Sequence, residues 1–411
     1  MKRRSLLAAI AAAMLISSCG KNVFFFEAQS IQPVTNVTRV FVDAFGSAYP
    51  MEALSKVPGK LPSGSLYRYF REDVGGECSI QQPGSQTAEL CSSRDSLVKW
   101  RAGQTKVWDG LAREIIAKAG DPNVPLDLVF LVHGFNNTHG NSSQSYVKVR
   151  DALNRHANPG RTLRFVEVYW DGFRSPIGLG AWGKAQASGP LVGFHLRSLF
   201  NSLSGEIAAR KNQDVDLKIL SHSSGAFVLG ATFGDPSAAL PEMQSIDNDD
   251  YRTFVINAAS HNGAYRIPQF DSLKIGLLAA ATPSTTFLGS KRYPGGLLVQ
   301  DTQILLSVNP HDGTLNKKGL GANAPGTGAT GVGIIARYYC DELKPSGALT
   351  SRNSQFVGYD FDRSGTELEH LLKDHSFESY IEQADRVTTF MADLMSEEKV
   401  SSDTTEGRIC D

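Results

Sequence analysis

Residues 217–227 read LKILSHSSGAF, a strand running directly into a serine-rich turn. Val215, Leu217 and Ile219 alternate with polar residues, the period of a strand with one strongly buried face. Ser221-His222-Ser223-Ser224-Gly225 follows at once, and the apolar run Phe227-Val228-Leu229 opens a helix. A strand, a sharp turn and a helix, with small residues two positions either side of Ser223, is the geometry that lifts Ser223 Oγ clear of its neighbours. The pattern is loose by itself, because Gly, Ser and Ala are common everywhere. Its position directly after a strand gives it weight.

A second stretch, LDLVFLVHGFNN at 126–137, works with the first. Leu128 to Val132 form a buried strand that stops at His133-Gly134-Phe135-Asn136-Asn137. A strand ending at His-Gly aims the backbone N–H of Phe135 into a space at the carboxyl edge of the sheet. The N–H of Ser224, first in its helix, is expected to point into the same space. Two such donors suit the negative oxygen of a tetrahedral intermediate. His133 reads as packing beside this loop, and His222 as a satisfied buried histidine that faces away from Ser223.

On these segments the chain resembles the α/β-hydrolase superfamily, and HGFNN is similar to the motif of a bacterial group of unknown function carrying HG[FY]NN near its oxyanion strand. The resemblance covers roughly residues 105–395, and it rests chiefly on HGFNN and SHSSG. One departure is visible: Ser221 stands where the usual Gly-x-Ser-x-Gly pattern has its first glycine. The resemblance implies a mostly parallel sheet flanked by helices on both faces, an oxyanion hole from Phe135 and Ser224, and a triad in the order serine, acid, histidine.

For the acid, Gln303–Val308 reads as a strand and Asn309-Pro310-His311-Asp312-Gly313 as the turn at its end, which puts Asp312 where a carboxylate can orient a histidine. The earlier stretch Thr253–Ala258 also reads as a strand, and it ends in Ala259-Ser260-His261-Asn262, which offers no acid. A purely local turn role remains the alternative for Asp312. For the base, His375 precedes a helix with apolar residues at Ile381, Ala384, Val387, Phe390 and Leu394, and His370 is its rival. His261 and His311 read as solvated loop residues.

Other signals place the chain rather than its chemistry. Lys2-Arg3-Arg4, the apolar Leu6–Ile16 and Ile16-Ser17-Ser18-Cys19 make a signal peptide over 1–18 that resembles a bacterial lipobox. The apolar run is short of the ~20 residues that span a bilayer. Cleavage before Cys19 would leave a lipid anchor there, with residues 19–36 as a tether and 37–411 as the hydrolase domain. Gly20 in place of aspartate favours the periplasmic face of the outer membrane, if the cell is Gram-negative. A plain secretory signal is the alternative.

Cys78, Cys91, Cys340 and Cys410 remain, an even number that suggests two disulfides in an exported protein, with three possible pairings. Chain proximity suggests Cys78 with Cys91 and Cys340 with Cys410. Residues 45–103, rich in Gly, Pro and Ser, read as an elaboration over one edge of the sheet. The apolar segment 173–182, with its glycines, reads either as a lid or as simple packing.

Several classes are disfavoured. The formal charge is −1, and removing Lys2, Arg3 and Arg4 leaves about −4, a mild value. No basic run or aromatic–basic interleaving recruits nucleic acid. Gly326-Thr327-Gly328-Ala329-Thr330-Gly331 matches a dinucleotide fingerprint by letter but lacks the strand before it and the helix after it. No His-Glu-x-x-His or Cys-x-x-Cys suggests a metal, and the triad chemistry requires no cofactor. The expectation is a membrane-anchored serine hydrolase acting on small or lipid esters. A thioesterase, an acyltransferase and a non-catalytic envelope scaffold are the alternatives.

Overall fold

The computed structural model describes residues 34–42, 46–49, 94–135, 137, 139–170, 179–210, 213–234, 265, 267, 270, 272–282, 302–309, 312, 354–361 and 375–400. The signal segment with Cys19, the cysteines Cys78, Cys91, Cys340 and Cys410, residues 50–93, Thr253–Ala258, His261, His311, the 319–333 glycine-rich stretch and His370 lie outside these.

In chain order the elements are β1 (Val37–Val42), β2 (Ala48–Tyr49), α1 (Arg94–Ala117), β3 (Leu126–Val132), α2 (His139–Asn154), β4 (Thr162–Trp170), α3 (Leu179–Ala209), β5 (Val215–His222), α4 (Gly225–Phe233), β6 (Ser272–Leu278), β7 (Thr302–Val308), β8 (Ser354–Asp360), α5 (Phe377–Ile381) and α6 (Ala384–Met395). The strands form one eight-stranded sheet in the order β2-β1-β4-β3-β5-β6-β7-β8. Every pairing is parallel except β1 with β2. The molecule is therefore α/β, with a mostly parallel sheet.

The strand order explains where a site can form. From β3 the chain steps outward to β4, then returns to place β5 on the other side of β3, and continues away through β6, β7 and β8. The order reverses between β3 and β5, and a crevice opens outside the carboxyl ends of strands at such a point. Val132 pairs with Ser221, and Ser221 with Leu277, so the three strands end level with one another.

Both faces of the sheet are covered. Val129 and Leu131 of β3 pack with Tyr146, Val149 and Leu153 of α2 and with Val387, Phe390 and Leu394 of α6. Leu128, Phe130 and Val132 pack on the opposite face with Trp108, Leu111 and Ile115 of α1 and with Leu196, Leu199 and Leu203 of α3. This period-two split is what a strand buried on both sides requires. Strand β5 is buried along its whole length, including the polar positions Asp216 and Lys218. Its alternation hides a second interior face made of paired charges. Lys218 Nζ lies 2.5 Å from Asp127, and Arg161 lies 2.7 Å from both Asp127 and Asp214.

Two details hold the helices in place. Gly193 lets α3 press against α4, since a Cβ there would stand 2.4 Å from the Val228 carbonyl oxygen. Arg197, fully buried on α3, donates to the carbonyls of Thr232 (2.6 Å), Ala231 (3.1 Å) and Gly234, closing the carboxyl end of α4. Cationic groups suit that end of a helix. At the sheet edge, Gln104 of α1 bonds both backbone groups of Ala48, at 2.7 and 3.3 Å, which protects the two-residue strand β2 from open pairing.

The sequence-based boundaries shift in three places. The expected elaboration at 45–103 contributes its ends to regular structure, as β2 and the start of α1. The proposed loop at 173–182 ends earlier than expected: Leu179–Trp182 already belong to α3, and residues 171–178 lie outside the described set. The single helix expected after His375 is two helices, α5 and α6, separated at Glu382 and Gln383. Among the described residues, no helix is long and apolar enough to cross a membrane.

Candidate active site

Ser223 is the first residue past β5, and its φ is 53°. A left-handed conformation is strained for a residue with a side chain. Flanking contacts hold it there. Its N–H donates to the Leu278 carbonyl at 2.9 Å, and its own carbonyl accepts from Ala281 N–H at 3.1 Å, so the end of β6 grips both sides of the residue. Small neighbours are obligatory around it. A Cβ on Gly134 would sit 2.7 Å from Ser223 Cβ, and one on Gly225 would sit 2.7 Å from the Val132 carbonyl oxygen. Ser221, at the position where glycine is usual, is fully buried, and its hydroxyl has no hydrogen-bond partner among the described residues.

The three residues expected to form a triad converge. Ser223 Oγ lies 2.7 Å from His375 Nε2, and His375 Nδ1 lies 2.9 Å from Asp312 Oδ2. Asp312 is completely buried just beyond β7, in a turn where its N–H donates to the Asn309 carbonyl. Its carboxylate accepts a hydrogen bond from His375 Nδ1–H, which leaves Nε2 unprotonated and able to accept from the serine hydroxyl. Tyr380 of α5 adds a second donor, its hydroxyl 3.0 Å from the same Oδ2. Sequence reasoning missed Tyr380, whose only signal is its place five residues after His375. Ser376 steadies the histidine loop by accepting from Ser379 N–H at 3.0 Å, an N-cap for α5.

His133 is structural, as its place beside the loop suggested. Its Nδ1 lies 2.6 Å from the Gly134 carbonyl, its Nε2 accepts from Trp170 N–H at 3.2 Å, and its own carbonyl accepts from the Trp170 indole at 2.6 Å. The Tyr146 hydroxyl accepts from His133 N–H at 2.8 Å. Nδ1 therefore carries the proton and the ring is neutral. Burial pushes its pKa down to about 4. This cross-bracing fixes the turn from which Phe135 projects.

His222 departs from expectation. It is buried, but neither ring nitrogen has a hydrogen-bond partner among the described residues. The ring stacks on Phe377 at 4.8 Å and lies 5.3 Å from the His375 ring. Burial, and secondarily the neighbouring His375, pull its pKa down to about 3 against the opposing charge of the Asp312 carboxylate.

The two expected oxyanion donors are not equivalent. Phe135 N–H donates to the Ser224 hydroxyl at 2.7 Å, while Ser224 N–H has no acceptor among the described residues. Among those residues, no group of three His, Cys, Asp or Glu side chains is placed to hold a metal ion. No protein-family model matches the chain, and no curated protein matches it either.

Proposed function

We propose that this chain is a serine hydrolase of the α/β-hydrolase fold that cleaves carboxylic esters through an acyl-enzyme. The observation that carries the reading is the unbroken line Ser223 Oγ–His375–Asp312, at 2.7 and 2.9 Å, built on a left-handed serine at the reversal point of a parallel sheet.

Ser223 Oγ attacks the acyl carbon, and His375 Nε2 takes the hydroxyl proton as the new C–O bond forms. The carbonyl π electrons move to oxygen, and their collapse expels the alcohol, which receives the proton from His375. Water then repeats the sequence on the acyl-serine. Asp312 stays ionised, orients the imidazole and stabilises its transient charge, while Tyr380 holds the carboxylate in position. The chemistry calls for no cofactor. The lipobox-like segment ending at Cys19 supports, as part of the same proposal, a lipid-anchored enzyme at the bacterial envelope whose substrates are small-molecule or lipid esters.

The test is turnover of p-nitrophenyl butyrate by the full chain. Ser223→Ala and His375→Ala are expected to lose roughly 10⁶-fold in kcat, and Asp312→Asn roughly 10⁴-fold through loss of the correct tautomer. Variants that fold and turn over like the wild type would remove the proposal.

A further inference from the structure

We propose that the residue after the nucleophile supplies both oxyanion donors: the backbone N–H of Ser224 and its side-chain hydroxyl, with Phe135 N–H polarising that hydroxyl rather than meeting the substrate oxygen. This rests on the hydrolase reading of Ser223.

Three observations carry it. First, Phe135 N–H is committed, donating to Ser224 Oγ at 2.7 Å. Second, Ser224 retains two unspent donors beside the nucleophile. Neither its N–H nor its hydroxyl proton reaches an acceptor among the described residues, although the residue is only 2% exposed. Third, Ser224 occupies the N-cap position of α4 yet makes no side-chain cap hydrogen bond. A serine there ordinarily accepts from a backbone N–H of the first helical turn. Here the side chain forgoes that bond and turns to the loop after β3.

A hydroxyl that accepts from an amide is a better donor through its own proton, because successive hydrogen bonds polarise one another. When Ser223 Oγ bonds to the acyl carbon and its proton passes to His375 Nε2, the carbonyl oxygen gains the electron pair. Ser224 then meets that oxygen with N–H and O–H together. The hydroxyl donates a hydrogen bond and keeps its proton, so no further charge moves. The competing arrangement has the Ser224 side chain swing away on substrate binding and release Phe135 N–H. That arrangement makes the hydroxyl an obstacle, and its removal should then speed the reaction.

The experiment compares the wild type with Ser224→Ala, Ser224→Gly and Ser224→Thr, using p-nitrophenyl butyrate turnover and the rate of fluorophosphonate labelling. Loss of one oxyanion donor is worth roughly 10²–10³ in kcat. Ser224→Ala and Ser224→Gly are expected to lose about that much with KM nearly unchanged, and to label more slowly, while Ser224→Thr recovers to within about tenfold of wild type. The two deletion variants guard against a single folding defect, and matched unfolding midpoints identify which are folded. Folded Ala or Gly variants that match or exceed the wild type overturn the proposal while leaving Ser223 as nucleophile. A folded wild type that neither labels nor hydrolyses the ester overturns the hydrolase reading and the Ser224 role together.

Discussion

At the scale of single residues, strain and burial are concentrated around Ser223. Holding a non-glycine residue at a φ of 53° costs about 1–3 kcal/mol, and the bonds to Leu278 and Ala281 on β6 keep it there. Two buried neutral histidines surround it, His133 with a pKa near 4 and His222 near 3. Both are depressed below the ordinary 6.5, chiefly by desolvation, so the folded chain binds fewer protons than the unfolded chain once pH drops below that value. Stability is fully present above pH 6.5 and declines as pH falls toward the folded values. At about 1.36 kcal/mol per unit, each histidine removes roughly 2 kcal/mol between pH 6.5 and 5. Urea unfolding at pH 7.5 and pH 5 should show that decline, and His222→Phe, which keeps the stack on Phe377 without titrating, should show a smaller one. Equal wild-type stability at the two pH values would contradict this account of the two rings.

At the scale of elements, the site depends on how closely α3, α4 and the strand ends approach one another. Gly193→Ala forces a methyl group against the Val228 carbonyl at 2.4 Å, where backbone cannot yield as a flexible side chain would. Overpacking of this kind costs about 1–3 kcal/mol, so a lowered midpoint in chemical denaturation is expected. A neutral substitution would mean the helices are not in contact at this point. The same scale shows what was legible in the sequence. Strands β3 and β7 stand out as apolar runs and β5 as an alternation, and Ser223, Asp312 and His375 fall at their ends or on the loop before the last helices. Strand β6 was missed because Lys274 and Gly276 interrupt its pattern. Lys274 is buried by donating to the Asp393 carbonyl and the Ser396 hydroxyl at the end of α6, both at 2.8 Å, a long-range partnership that local periodicity cannot reveal. Strand β8 is likewise broken by Gly358. The unequal roles of Phe135 and Ser224 were also hidden, because side-chain capture of a backbone N–H across 89 positions leaves no mark on the sequence.

At the scale of the whole molecule, the sheet separates two tasks. Its amino edge carries the buried charge cluster of Asp127, Arg161, Asp216 and Lys218, which is stable only while every member is paired. Its carboxyl edge, at the reversal between β3 and β5, gathers Gly134, Phe135, Ser223 and Ser224, and the ends of β7 and the α5 loop bring Asp312 and His375 to meet them. In the proposed hydrolase this convergence activates Ser223, which peptide mapping of a fluorophosphonate adduct on the folded full chain would reveal. The account predicts one modified residue, Ser223, with labelling abolished in Ser223→Ala and strongly slowed in His375→Ala. A folded wild type that takes no probe, or takes it at another residue with equal ease in both variants, would contradict it.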